Sequence, residues 1–232
     1  MVRRTETLSR FPLFGSLGAD EIAALDSRCA WRRVAAGASI IDHQDDGTDV
    51  FFVVQGHVRV LIRQPGGQNI ILRDIRDGEF FGELAALDGR PRSAGILAVT
   101  ASTVARMPAA AFRDAIHRHP GVCDQVLGLL AAQVRMLATR VTEFSALNVR
   151  HRLYAELLRQ SRPDPVDAGR AIISPPPIQT DLAARISTHR EAVSRELAAL
   201  TRAGLIERRR GALVLIDPGH LRQLIEEAYA AG

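Results

Sequence analysis

The sequence predicts an α+β protein: an N-terminal antiparallel β-roll, then a long helix, then a C-terminal winged helix-turn-helix. Three observations carry that prediction. Glycines and Asp-Gly pairs punctuate the stretch from Gly37 to Gly89 at roughly ten-residue intervals, the rhythm of positive-φ turns between short antiparallel strands. Apolar residues then recur in heptads from about Pro120 to Leu147. Finally, two short helical segments separated by Ser187-Thr188 run into a pair of short β-rich segments, the element order of a winged helix-turn-helix.

Between about residues 10 and 28, Phe14, Leu17, Ile22 and Leu25 are spaced for short helical structure. From Trp31 to Met107 the period becomes that of strands. Val50-Phe51-Phe52-Val53-Val54, Val58-Arg59-Val60-Leu61-Ile62 and Ile70-Ile71-Leu72 are β-rich runs. Gly37, Asp46-Gly47, Gln55-Gly56, Pro65-Gly66-Gly67, Asp77-Gly78 and Asp88-Gly89 supply the turns.

The 120–147 segment places Leu127, Val134 and Val141 seven residues apart, and likewise Cys123, Leu130, Leu137 and Phe144. As a and d positions these favour a parallel two-stranded coiled coil, with Leu127, Leu130, Val134, Leu137, Val141 and Phe144 as the interface of a homodimer. A helix follows from Arg152 to Arg159. Ser161-Arg162-Pro163-Asp164-Pro165 then reads as a linker, and Ser174-Pro175-Pro176-Pro177 as a second break. The organisation expected is a roll with flanking short helices over 1–118, a dimerisation helix over 119–147 and a winged helix-turn-helix over 148–232.

Composition narrows the class. Of 232 residues, 47% are hydrophobic and 24% charged, enough to build cores and to exclude general disorder. The N-terminal Met1-Val2-Arg3-Arg4-Thr5 leads into no long apolar region, so neither a secretion signal nor a membrane span is expected. Two cysteines, Cys29 and Cys123, exclude a disulfide framework and fit a reducing cytoplasm. All 30 basic residues counted as Lys+Arg are arginine; from Arg150 onward 13 stand against 10 acidic residues, so most of the +4 net charge lies in the last third. Arginine's planar fork suits phosphate and guanine recognition.

The most specific stretch runs from Phe81-Gly82-Glu83-Leu84 to Arg90-Pro91-Arg92-Ser93-Ala94. Gly82 permits close backbone approach, and the residues after it can open a short helix whose free N–H groups face an anion. Arg92 can make a charge-assisted fork to a phosphate, Ser93 adds a hydroxyl, and Glu83 is an acceptor suited to a ribose 2′-hydroxyl.

This segment resembles the phosphate-binding cassette of cyclic-nucleotide-binding domains. With the downstream helices, nearly the whole chain resembles the catabolite-activator (CRP/FNR) family of bacterial regulators. The resemblance implies that Arg92 and Ser93 hold a cyclic phosphate, that Glu83 takes the ribose hydroxyl, and that the amides from Gly82 to Leu84 assist, with Ala94 completing the site. It makes cAMP the first candidate effector. In cAMP-responsive members, however, the long helix offers Thr-Ser to adenine, and counting back from Asn148-Val149 those positions hold Leu137 and Ala138, with Thr139 and Thr142 nearby. Another cyclic nucleotide, or a site without ligand, stays open.

Downstream, Thr180 reads as the N-cap of a helix ending at Ile186, and His189 to Leu200 as the second helix. Ala183, Ile186, Val193 and Leu197 are placed to pack the two together. Arg190, Glu191, Ser194 and Arg195 are left on the other face, near the end that enters a major groove. By the resemblance, Arg190 and Arg195 contact guanines and Glu191 a cytosine amino group, in TGTGA-like half-sites of a palindrome on double-stranded DNA. An arginine fork matches guanine O6 and N7, and a carboxylate accepts from cytosine N4. Thr188-x-x-Glu191 is also a capping box. Thr180, Thr188 and His189 join the expected DNA-facing set, and Arg208, Arg209 and Arg210 suit phosphate contact. Ser187 stands where the family often has glycine, which asks it to adopt an unfavourable backbone conformation.

No Gly-x-Ser-x-Gly, His-Glu-x-x-His or P-loop occurs, so an enzyme is not expected. His117-x-His119 before Cys123 leaves a heme or metal sensor as an alternative, although no metal is expected. An activator of this kind would also contact RNA polymerase.

Overall fold

The computed structural model describes residues 7–64 and 69–230. The Pro65-Gly66-Gly67 turn therefore lies outside the described residues. Two 3-10 turns, Leu8–Arg10 and Pro12–Phe14, precede α1 (Ala19–Ser27). The roll follows as β1 (Ala30–Val34), β2 (Ser39–Ile41), β3 (Val50–Gln55), β4 (His57–Arg63), β5 (Asn69–Arg76), β6 (Phe80–Phe81), α2 (Glu83–Asp88), β7 (Gly95–Ala98) and β8 (Ser102–Met107). It is built from two four-stranded antiparallel sheets, ordered β1-β8-β3-β6 and β2-β7-β4-β5. Then come α3 (Ala109–Arg118) and α4 (Pro120–Ala146). Contacts divide the chain into two compact units that meet within α4, between Gln133 and Val134.

β3 explains why its sequence is an unbroken apolar run. Phe51 and Val53 point between the sheets, against Val58, Ile75, Phe81, Ile96 and Val104. Val50, Phe52 and Val54 point the other way, into a core shared with Phe11, Phe14, Met107 and Phe112, and with Val122 and Val126 of α4. A strand covered on both faces loses the alternation that marks a half-exposed one. After β3 the chain reverses through Gly56 at φ 118°, where an added Cβ would sit 2.2 Å from the Ser102 hydroxyl; no other residue fits that turn.

The second unit contains α5 (Val149–Gln160), β9 (Arg162–Pro163), β10 (Ala171–Ile173), α6 (Gln179–Arg185), α7 (Arg190–Arg202), β11 (Ile206–Arg209), β12 (Ala212–Leu215) and α8 (Pro218–Ala230). Ala183, Ile186, Val193 and Leu197 meet as expected, in one core with Leu153, Leu157, Leu182, Leu213, Leu215 and Leu221. The hairpin β11–β12 continues into β10 and β9. The linker expected at 161–165 is thus partly a strand: Arg162 and Pro163 pair with Ile172 and Ala171. Pro163 is tolerated because β9 is the sheet edge.

Two helix starts also differ from expectation. Thr180 is not an N-cap. The proline run leaves Ile178 extended (φ −75°, ψ 129°) as the capping residue, so the helix takes Gln179 and Thr180 into its first turn. The Thr188–Glu191 capping box does not form either. His189 is the extended N-cap of α7 with no side-chain cap, and the Thr188 N–H instead closes the turn onto the Ala183 carbonyl.

A buried ionic cluster braces this unit. Glu156, 1% exposed, accepts from Arg140 of α4 at 3.0 Å, from Arg159 and from Gln160, and lies 3.7 Å from Arg185 of α6. Arg140 also donates to the Arg185 carbonyl, and Arg159 to Glu143.

Phe52 is fully buried, with ring centroids 5.2–5.6 Å from those of Phe11, Phe14 and Phe80. Phe52→Ala is expected to lower stability by about 3–5 kcal/mol in denaturant unfolding monitored on the roll.

Candidate ligand cassette and nucleic-acid interface

The cassette is organised around Arg92. Arg92 is 5% exposed, and its guanidinium donates from Nη1 to the Gly82 carbonyl at 3.0 Å and from Nη2 to the Asp49 carbonyl at 2.7 Å, while resting 5.9 Å from the Phe51 ring centroid. Its Nε is buried without a hydrogen-bond partner among the described residues. Burial pulls the Arg92 pKa down, opposed by the nearby carboxylates of Asp45, Asp49 and Glu83. Backbone bonds in both directions tie the 44–45 segment to Arg92. Gly82 adopts φ 86°, and a Cβ there would fall 2.7 Å from Arg92 Nη1 and 2.8 Å from the Asp49 carbonyl. Both its conformation and its bareness are therefore required.

α2 opens directly after Gly82, so the free amides of its first turn begin at the expected place. Glu83 is 4% exposed and accepts from Gln133 Nε2 at 3.1 Å. Ser93 is exposed, Ala94 buried and Leu84 42% exposed. A buried cation with an unbonded N–H, beside a helix start and a carboxylate, is fitted to an anion that also carries hydroxyls. Sequence reasoning missed Asp49, Phe51 and Gln133. Gln133 had a readable signal: it continues the Val122, Val126, Leu129 stripe of α4 as a polar residue at helical spacing.

On α7, Val193, Leu197 and Leu200 face the core and Arg190, Glu191, Ser194 and Arg195 are exposed. Among the described residues no carboxylate pairs with Arg190 or Arg195. Ser187 sits at φ 52°, the strained conformation expected of it. Thr180 and His189 are exposed and Thr188 is half-buried. Arg208 and Arg210 are exposed, but Arg209 is held by Glu207 at 2.7 Å and by the buried Asp164 at 3.2 Å. It anchors the hairpin to the edge of the sheet.

Along α4, Leu127, Val134, Leu137 and Val141 are exposed at 57%, 66%, 46% and 63%. Leu130 packs partly on the roll's core, and the guanidinium groups of Arg140 and Arg152 stand over the Phe144 ring, 5.2 and 5.0 Å from its centroid. By length and composition alone α4 would be long and apolar enough to cross a membrane. Its exposed apolar residues form a heptad stripe, however, with Asp124, Arg135 and Arg140 on the same helix. His119 lies 3.6 Å from Glu21, and among the described residues no three His, Cys, Asp or Glu side chains group to hold a metal.

A roll of this kind followed on the same chain by a winged helix-turn-helix defines a class of transcriptional regulators. Residues 31–119 match the cyclic nucleotide-binding domain, and residues 151–224 the Crp-like helix-turn-helix domain. The CRP-like cAMP-activated global transcriptional regulator of Mycobacterium tuberculosis is 26% identical over 213 residues, covering 91% of this chain and 95% of that protein. A CooA variant from Carboxydothermus hydrogenoformans superposes with a TM-score of 0.79 at 19% identity, over 92% of this chain and 95% of its own. The catabolite activator protein of Thermus thermophilus is 28% identical with a TM-score of 0.51, over 94% and 99%. The chain belongs to the CRP/FNR family of transcriptional regulators, which are not enzymes.

Because a left-handed serine is strained, Ser187→Gly is expected to raise the stability of the second unit by about 0.5–1 kcal/mol, measured as a shift of its unfolding midpoint.

Proposed function

We propose that this protein is a cytoplasmic, homodimeric, sequence-specific DNA-binding regulator whose DNA affinity is set by a cyclic nucleotide. The observation that carries the reading is the buried Arg92 guanidinium with its unbonded Nε, on the same chain as an α7 whose exposed face bears Arg190 and Arg195. The cassette residues Gly82, Glu83, Leu84, Arg92, Ser93 and Ala94 take the phosphate and ribose. Cyclic AMP is the reference effector, because the M. tuberculosis relative is named as cAMP-activated.

The exposed stripe of Leu127, Val134, Leu137 and Val141 supports a parallel partner helix. In this reading 1–118 is the ligand domain, 119–147 the dimerisation helix and 148–232 the DNA domain. The paired recognition helices then meet a palindrome of TGTGA-like half-sites about one helical turn apart. Arg190 and Arg195 read guanine, Glu191 reads cytosine, and Arg208 and Arg210 hold phosphates. With no capping box to serve, Glu191 is available for that contact. Where the protein activates, RNA polymerase is the further partner. Ligand and DNA raise each other's affinity reciprocally, by about 1–3 kcal/mol of coupling.

Arg92→Ala is expected to weaken cyclic-nucleotide binding by about 1.5–3 kcal/mol, the worth of a charged hydrogen bond, in titration calorimetry on a folded variant; unchanged affinity would remove the cassette from the function. Arg190→Ala is expected to cost about 1–3 kcal/mol at one base position in anisotropy titrations across a half-site library. Uniform weakening over all sequences would instead make Arg190 a phosphate contact.

A further inference from the structure

One charged side chain projects into the roll from β5. Antiparallel register sets Val58 opposite Ile75 and Val60 opposite Arg73, and directly opposed residues share a face of the sheet. Val58 and Ile75 belong to the core between the sheets and Val60 packs against it, so Arg73 shares that inner face. Its neighbour Asp74 faces the other way, paired with Arg59 at 2.8 Å.

Arg73 is half-buried. It makes one long hydrogen bond, from Nη2 to the Phe80 carbonyl at 3.4 Å, two residues before Gly82 of the cassette. Among the described residues no carboxylate lies within ion-pair distance of it. A partly desolvated guanidinium with most of its N–H groups unbonded favours acceptors. The two positions that the family resemblance assigns to base recognition, Leu137 and Ala138, carry no hydrogen-bonding side chain.

We propose that Arg73 reads the base of the effector, and that the effector is a guanine cyclic nucleotide in preference to cAMP. The inference rests on the cassette binding a cyclic nucleotide, as proposed above. Guanine presents two acceptors, O6 and N7, along one edge, matching the parallel donors of an arginine fork. Adenine sets an amino donor beside N7 and opposes one of them.

The test is titration calorimetry of the full-length protein with cGMP, cAMP and cyclic di-GMP, repeated on Arg73→Ala, Arg73→Lys and Arg92→Ala, each checked for folding by circular dichroism. The wild type is expected to bind cGMP at least about tenfold more tightly than cAMP, and Arg73→Ala to bring the two affinities together. Arg73→Lys keeps the charge without the fork; it too should lose most of the preference, and it carries the test if the alanine variant does not fold. Equal affinities, a preference for cAMP, or a guanine preference that survives both Arg73 substitutions overturns the proposal. In those cases an Arg92→Ala loss of binding leaves the cassette reading standing. Tighter binding of cyclic di-GMP than of cGMP, lost with Arg73, supports the proposal as well, because cyclic di-GMP presents the same guanine edge. If none of the three nucleotides binds the wild type, the cassette reading falls with it.

Discussion

The first unit is arranged around a cation that has been taken out of water. Removing a guanidinium from solvent costs several kcal/mol unless acceptors surround it. Arg92 finds them in backbone carbonyls from two distant segments, at Gly82 and Asp49. Those bonds fix the residue before β3, the residue before α2 and the approach to β7 at one point. Gly82 must then be bare and left-handed, because any side chain would occupy the guanidinium's place. The geometry expected to hold an anion is therefore the same geometry that satisfies the buried arginine. Ligand recognition and local folding share their constraints here.

Much of the architecture was legible because each element advertises a different period. The glycine punctuation of the roll, the heptads of α4 and the paired apolar positions of α6 and α7 each follow from one geometric rule. What escaped did so for local reasons. α8 is not announced by its own start, because Pro218-Gly219 is a turn-forming pair in sequence. In the structure the proline occupies the first helical position, where it lacks no needed N–H, and Asp217 accepts from the His220 amide at 2.8 Å. Leu221, Leu224 and Ile225 then return to the core at helical spacing. Thr180 and Thr188 were misjudged because both are good capping types beside helices whose true starts are set by neighbours: a proline run in one case, the left-handed Ser187 in the other.

The candidate site divides in the same way. Arg92, Glu83 and Gly82 are contiguous in chemistry and close in sequence, so a local reading found them. Asp49, Phe51 and Gln133 come from other elements, and only the folded register brings them to the cassette. Arg73 belongs with these. Nothing in its sequence neighbourhood says which face of β5 it takes, because one step along a strand reverses the direction of every side chain. The irregular pairing where Val60–Arg73 gives way to Leu61–Ile71 is a shift no residue pattern announces.

Glu156 has a mechanical meaning. A carboxylate sealed from solvent has its charge balanced by arginines that belong to three different helices. Pulling these partners away together would strand a buried ion, a penalty of about 3–5 kcal/mol, so the helices cannot slip past one another cheaply. The last turns of α4, the body of α5 and the end of α6 consequently behave as a single stiff bracket. A twist applied to the end of α4 would then be passed through this bracket to the turn before α7 as torque.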